Sequence, residues 1–563
     1  MSDLVLRGAT VIDGTGAPRY TADVAVRDGA ITEIGRVTDT GADTVDADGL
    51  VVAPGFIDPH VHYDAQIMWD PAVTPSTMYG ITSIIGGNCG FGVAPLGPAN
   101  ADYMLRLLAN VEGMSLDALE AGSDYAWDGF DEWLDLLAGR IAVNAAFFIG
   151  HSTVRRYVMG DSAATSVANE QQIAQMAALV GAALRVGAVG LSTSMNENHH
   201  DGDGAGVPSR RADRRELLAL AEAMQPFADR VLEIVPAMSG PFDHTMYEFL
   251  ADLSIASHST VLWNSLAVDA TKPEWHEKML AAAPYAAARG ADVIALSIPD
   301  VARLRLSFSN GMILQAFEGW AELFAMSPSV RRSALKDRSW RDRLRSGLRA
   351  ASEGGLFARF VDFGPMRIGE ATTARNVGVN GLTVDEVARQ RGTDAFDTAL
   401  DLAVDEDLTV GFWPTPTGDD DTSWALRAQI WQQPDVLVGG GDAGAHLDAI
   451  DSFNYPAVLA GPVVRDRGLL TLEQAVRLLT SEPAARFGLR GRGVLAASAP
   501  ADLVVFDPTT FGPGKLELRR DLPGGAQRLY SEADGLHHVF VNGVAVVRDH
   551  RLTGATPGRV LRL

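Results

Sequence analysis

The hydrophobic pattern of this chain changes twice. Residues 1–54 carry short apolar or alternating runs, LVLRGATVID (Leu4–Asp13) and ADVAVRDGAITEIG (Ala22–Gly35), which read as β-strands. Asp28-Gly29 interrupts the second run as a hairpin turn. Residues 498–563 return to the same pattern. There ADLVVFDP is a strand, and HHVFVNGVAVVRD places Asn542-Gly543 between two β-rich runs. Between these ends, short apolar runs finish in glycine or polar residues and alternate with amphipathic helical stretches. The runs are SIIGGN, AAFFIGH, AVGLSTS, RVLEIVP, TVLWNSLA, DVIALSIP and VLVGGGD. NEQQIAQMAALVGAALRVG and RRELLALAEAMQPFADR are two of the helices between them. With the run before His60 the count reaches about eight βα units, which predicts an α/β chain folded as a (β/α)8 TIM barrel.

The pattern divides the chain into two parts. Residues 1–54 and 498–563 form a small β-sandwich domain from both chain termini. Residues 55–497 form the barrel, interrupted at about 304–434 by a stretch too long for a βα loop. Its arginine-rich SVRRSALKDRSWRDRLRSGLRAA reads as part of a helical insertion, a lid or an interface.

Composition narrows the function. The 563 residues include 71 acidic and 47 basic side chains, a formal charge of −24, which argues against nucleic acid or an anionic membrane as partner. No apolar window is long enough for a transmembrane helix. The N-terminus lacks a signal pattern, and Cys89 is the only cysteine, so a cytoplasmic location is expected. The insertion and the barrel helices offer surface for a homo-oligomer.

Candidate chemistry sits at the predicted strand ends, where barrels of this type place their active sites. PGFIDPHVH (residues 54–62) ends an apolar run with His60 and His62 two residues apart, on one side of the chain and able to ligate one ion. Cys89 in IIGGNCG is either a thiolate ligand or a buried unreactive cysteine. Asp442, after VLVGGG, is either a metal-binding proton acceptor or a helix N-cap. His151, Ser192, His199, Arg210 and His446 are candidates for substrate contact, each balanced by a purely structural role. Arg155, Arg210, Arg303 and Arg305 are candidates for binding a substrate carboxylate.

In order along the chain, PGFIDPHVH, GGNCGFGVAP, IGHSTVRRYVMG, GLSTS, GGDAGAH and SEPAARFGL with RGVLAASAPADLVVFDP resemble the amidohydrolase superfamily. Within it the chain is similar to the N-acyl-D-amino-acid deacylase (D-aminoacylase) branch. The resemblance spans nearly the whole chain. It implies a metal-dependent hydrolase of a non-peptide amide bond, with His60, His62, Cys89 and Asp442 as ligands and Asp442 as proton shuttle for a metal-activated water. The substrate would be an N-acylated amino acid or a related amide.

One departure qualifies this. The family supplies histidines from the fifth and sixth strands, but VLEIVPAMSG and TVLWNSLAVD have none, and no lysine ends the fourth. His244 and His258 lie away from those ends. The expectation is therefore one zinc or other divalent transition ion rather than two, held by His60, His62 and Asp442 with Cys89 or His199. The alternatives are a cyclic amide or lactone hydrolase on the same barrel, or a barrel that has lost its metal and only binds.

Overall fold

The structure is a computed structural model that describes residues 2–238, 240–301, 303–351 and 360–563. Residues 352–359 of the predicted insertion lie outside the described residues.

The two chain ends meet in one sheet. Val51–Pro54 pairs antiparallel with Leu503–Phe506, so that Ala53 faces Val504. Eight strands run in the order Arg551–Leu552, Val544–Arg548, Leu536–Val541, Leu503–Phe506, Val51–Pro54, Leu4–Val11, Tyr20–Arg27 and Ala30–Gly35, and a ninth, Asp43–Asp46, pairs with Leu4–Val11. Both hairpin turns form where expected. Asp28, Gly29, Asn542 and Gly543 all have φ between 47° and 80°, the left-handed conformation that a tight two-residue turn demands. Alternation then separates two faces. Leu6, Val24, Val52, Leu503 and Val505 bury one face in a core of their own, while Val51, Ala53, Val504 and Phe506 bury the other against the barrel.

Among the described residues the barrel has eight parallel strands: β1 (Phe56–Asp58), β2 (Ile81–Gly86), β3 (Asn144–Phe147, continued by Ile149–Gly150), β4 (Gly190–Ser194), β5 (Val231–Val235), β6 (Thr260–Trp263), β7 (Val293–Ser297) and β8 (Val436–Val438). Each pairs parallel with the next, with a register shift between β1 and β2 and then from Ser83 opposite Asn144 to Ala295 opposite Val436. The cylinder closes through a parallel bridge between Val61 and Ala443 and a 3.1 Å bond from the Asp442 N–H to the His60 carbonyl. Ile57, Ile85, Ala146, Phe148, Val231, Leu262, Ile294 and Leu437 fill the interior, with Phe487 and Leu489 packed against them. The barrel is thus a packed core, and chemistry is confined to its C-terminal mouth.

Between β7 and β8 the chain builds a second hydrophobic core, from Leu306 to Phe412, around Phe308, Trp320, Phe324, Phe363 and Phe396. Its helices include Arg338–Ala351 and Ala395–Asp405. The arginines that dominate the sequence here are partly spent within the segment: Arg341 pairs with Asp397 and Asp401, and Arg345 with Asp394 and Asp397. The helix Asp421–Ile430 returns to the main core through Trp424, Ala428 and Ile430, so the separate core ends before the 434 boundary read from sequence. Among the described residues, no helix is long and apolar enough to cross a membrane.

Candidate metal centre

Four side chains converge at the barrel mouth. His60 and His62 follow β1, Cys89 follows β2 and Asp442 follows β8. The backbone here is closely determined. Asn88 donates to the carbonyls of Val61 (3.1 Å) and Ile85 (2.8 Å), tying the cysteine turn to the histidine segment. Cys89 itself is left-handed, at φ 57°, between Gly87 and Gly90, and a Cβ on Gly87 would collide with the Phe148 carbonyl. The Asp58 carboxylate, wholly buried, accepts from the N–H groups of His60 (3.2 Å) and Gly441 (3.1 Å), locking β1 to the Gly-Gly-Gly-Asp turn. A Cβ on Gly441 would lie 2.6 Å from that carboxylate, which is why glycine stands there.

The resulting geometry brings potential metal ligands together in two overlapping groups, His60, His62 and Cys89, and His62, Glu112 and Asp442. The Nε2 of His60 is 3.6 Å from Cys89 Sγ and 3.6 Å from Asp442 Oδ1. The Nε2 of His62 is 3.9 Å from Cys89 Sγ and 3.1 Å from Asp442 Oδ1. Tetrahedral bonds of about 2.0–2.3 Å require donor separations of roughly 3.3–3.6 Å. The donor set of two imidazoles, a thiolate and a carboxylate is one that zinc accepts.

The electrostatics also favour a cation at this point. Burial, with Glu233 adding to it, pushes the Cys89 thiol well above its ordinary range. Burial opposes a charge on His62, yet Glu112 and Asp442 outweigh it and raise that imidazole to about 10. Burial and the neighbouring His62 push His60 down to about 3. Asp442, half-buried, is held low against its partial desolvation by its bond to His62. A cation among these groups favours thiolate and neutral imidazoles together.

The cleft above the centre, about 690 Å³ with its open mouth, is lined by the four converging residues and by Glu112, His199, Val235, Met238, Asn264 and His446, among others. His199 and His446 therefore reach the cleft as the sequence suggested. His199 is fixed by Ser194 Oγ on its Nδ1 at 2.8 Å.

Three sequence candidates do not. His151 is fully buried, with Nδ1 2.8 Å from Thr193 Oγ1 and Nε2 2.8 Å from the Glu216 carboxylate, which also pairs with Arg155. Ser192 accepts from the Gly90 N–H (3.0 Å) and donates to the Gly87 carbonyl, so it braces the cysteine turn from behind. Arg210 donates to the His199 carbonyl (3.0 Å) and steadies that loop from outside the cleft. The other arginines are engaged elsewhere too: Arg303 with Asp451 (3.0 Å) and Arg305 with Glu370 (2.7 Å).

Sequence reasoning missed Glu112, Glu233 and Asn264. Glu112 follows the helix α1 (Ala101–Val111) and lies 3.5 Å from His62 Nδ1. Glu233 lies inside the barrel on β5 and accepts the Cys89 N–H at 2.9 Å. Asn264 follows β6, its Nδ2 3.8 Å from Cys89 Sγ. A carboxylate in the middle of the apolar run VLEIV was a legible signal, because buried charge is rare without a partner. Glu112 had no such signal, since it is carried by a loop.

A packed (β/α)8 barrel with a histidine pair, a cysteine and an aspartate at its mouth defines a class, the metal-dependent barrel hydrolases. Residues 43–547 match the amidohydrolase family, to which the chain belongs. A D-aminoacylase of Alcaligenes xylosoxydans xylosoxydans is 30% identical over 99% of this chain and 97% of the relative. An N-acyl-D-glutamate deacylase of the same organism is 30% identical over 100% of this chain and 96% of its own. A solved D-aminoacylase structure, described as having a binuclear metal centre with one-metal activation and second-metal attenuation, superposes with a TM-score of 0.66 at 26% identity over the whole of both chains. The enzyme class is accordingly that of metal-dependent hydrolases of carbon–nitrogen bonds other than peptide bonds.

Proposed function

We propose that this amidohydrolase is a deacylase of a small N-acylated amino acid or related amide, working with a single zinc or other divalent transition ion held by His60, His62, Cys89 and Asp442. The observation that carries the reading is that the Nε2 atoms of His60 and His62 each lie 3.1–3.9 Å from both Cys89 Sγ and Asp442 Oδ1 at the barrel mouth. A single ion accords with what stands on β5 and just after β6. There Glu233 and Asn264 face Cys89 where further imidazoles would be needed for a second.

When bound, the ion supplies Lewis acidity toward the amide carbonyl oxygen and toward water. The chain's own residues do the rest. Asp442 is the most open of the ligands measured, its side chain 29% exposed against 6% and 3% for His60 and His62, so it reaches the substrate. Its carboxylate takes a proton from the attacking water and delivers it to the leaving nitrogen. His199 and His446 bound the same space and orient the amide, while Val235, Met238, Leu296 and Ile298 exclude water along the walls.

A second reading has one observation in its favour. Among the described residues, the cleft lining includes no lysine or arginine. A carboxylate-free amide, such as a cyclic one, or a lactone suits that surface. We place the enzyme in the cytoplasm, consistent with its one cysteine being needed as a free thiol at the site.

Metal content per chain, measured by elemental mass spectrometry alongside turnover of N-acyl-D-amino acids, cyclic amides and lactones, tests both readings. One equivalent in the wild type, lost in His60→Ala and reduced in Asp442→Ala, is the expected result. Two equivalents, or none after reconstitution, would overturn the one-ion deacylase. Turnover confined to cyclic amides or lactones would select the second reading.

A further inference from the structure

Each histidine of the centre has a buried carboxylate behind it. The Nε2 atoms of His60 and His62 face Cys89 and Asp442, which leaves the Nδ1 atoms pointing away. His60 Nδ1 and Glu233 Oε1 are both buried without a hydrogen-bond partner, and they face each other 3.9 Å apart. The other oxygen of Glu233 is occupied by the Cys89 N–H at 2.9 Å. His62 Nδ1 faces Glu112 Oε1 at 3.5 Å. An imidazole that binds a metal through Nε2 carries its proton on Nδ1, and that N–H requires an acceptor.

Resting on the reading that one ion sits at the two Nε2 atoms, we propose that Glu233 and Glu112 are the positioning residues of the centre. Each accepts the Nδ1 proton of one histidine and fixes the tautomer and ring plane that present Nε2 to the ion. Charge supports the assignment independently. Glu112, Glu233 and Asp442 crowd around the centre, and among the described residues no lysine or arginine lines the cleft to balance them. Buried carboxylates persist only where a partner offsets their desolvation, and a divalent cation on the far side of each imidazole provides it.

The two acids are not equivalent. Glu233 sits mid-strand, held in register between Ser192 and Leu262, and it touches both His60 and the backbone of Cys89. Glu112 is loop-borne, with its carboxylate within 4.8 Å of donor atoms of His62 and Asp442. Only Glu233 also holds the backbone of a ligand, so its loss disturbs the centre more.

The experiment is a titration of chelator-stripped protein with cobalt(II), followed by visible absorption and by competition with a chelator. Wild type, Glu233→Gln, Glu112→Gln and His60→Ala are compared. Expected are one tight equivalent in the wild type, none in His60→Ala, and binding weakened about 10–100-fold in each glutamine variant with shifted ligand-field bands, more strongly for Glu233→Gln. The melting temperature of each stripped variant reports whether it folds, and Glu112→Gln carries the test if Glu233→Gln does not. Wild-type affinity and an unchanged spectrum in the folded glutamine variants would overturn the proposal. So would X-ray absorption showing one oxygen ligand fewer in Glu112→Gln, which would make Glu112 a ligand. A wild type that binds no cobalt would instead sink the one-ion reading itself.

Discussion

Asp442 Oδ1 stands 3.1 Å from His62 Nε2, joining the first strand of the barrel to the last across its mouth. The contact gives Asp442 two tasks, holding an ion and moving a proton, and substitution separates them. In Asp442→Asn the side chain keeps its shape and one oxygen donor but cannot take a proton at working pH. Turnover should fall about 100- to 10,000-fold, the range for loss of a general acid–base group, while bound metal falls less than in His60→Ala. Steady-state kinetics with parallel metal analysis checks this. Full turnover in Asp442→Asn would remove the aspartate from the proton path.

Cys89 offers a spectroscopic prediction. A thiolate within reach of both Nε2 atoms should give cobalt-loaded wild-type protein a sulfur-to-metal charge-transfer band in the near ultraviolet, absent in Cys89→Ser. Metal removal should also lower the melting temperature, because an ion that binds only the folded chain stabilises it by mass action, about 4 kcal/mol at a thousandfold excess over Kd. Calorimetry with and without chelator should show that drop in the wild type and little of it in His60→Ala. A cobalt spectrum unaffected by Cys89→Ser would leave the sulfur outside the coordination shell.

His151 should behave as a structural residue. It bridges Thr193 at the end of β4 to Glu216, an acid that burial would neutralise but that His151 and Arg155 hold in its charged form. His151→Ala leaves a buried acceptor short of a donor, at a cost of about 1–3 kcal/mol. Chemical denaturation should show that loss, and the KM of the folded fraction should stay at the wild-type value. A raised KM at unchanged stability would return His151 to the substrate site.

Most of the architecture was legible because it is written in periodicity. The apolar runs ending in SIIGGN, GLSTS and VLVGGG form strands β2, β4 and β8, and the Asp-Gly and Asn-Gly turns form as left-handed pairs. Position along a strand also placed His60, His62, Cys89 and Asp442 near one another. It could not say which way a neighbouring side chain turns. Ser192 lies inside β4 and His151 just beyond β3, and they point behind the cysteine turn and toward Glu216. Glu112 was invisible for a different reason: its approach to His62 depends on how a long βα loop folds back, and no local pattern encodes that.

The inserted segment holds a buried carboxylate whose charge its hydrogen bonds stabilise. Glu406, just beyond the helix Ala395–Asp405 and 3% exposed, accepts from the N–H groups of Thr372 (2.8 Å) and Thr373 (3.1 Å) and from Asn376 Nδ2 (2.8 Å). Burial works against its charge, but these bonds and the Thr373 hydroxyl prevail and hold the carboxyl down to about 2, from an ordinary 4.5. Because the folded value lies below the unfolded one, the unfolded chain binds the proton more readily, and stability falls with pH through this window. The contribution is fully present above about pH 4.5 and is lost as pH falls toward about 2. Glu406→Gln should therefore destabilise the segment at neutral pH by about 1–3 kcal/mol. The difference from wild type should shrink steadily once the pH drops below about 4.5. Hydrogen exchange of the Thr372–Asn376 amides in both proteins, at neutral pH and at progressively lower pH, reads this locally. A gap between the two that stays constant as the pH is lowered would show that the bonds do not depend on the charge of Glu406.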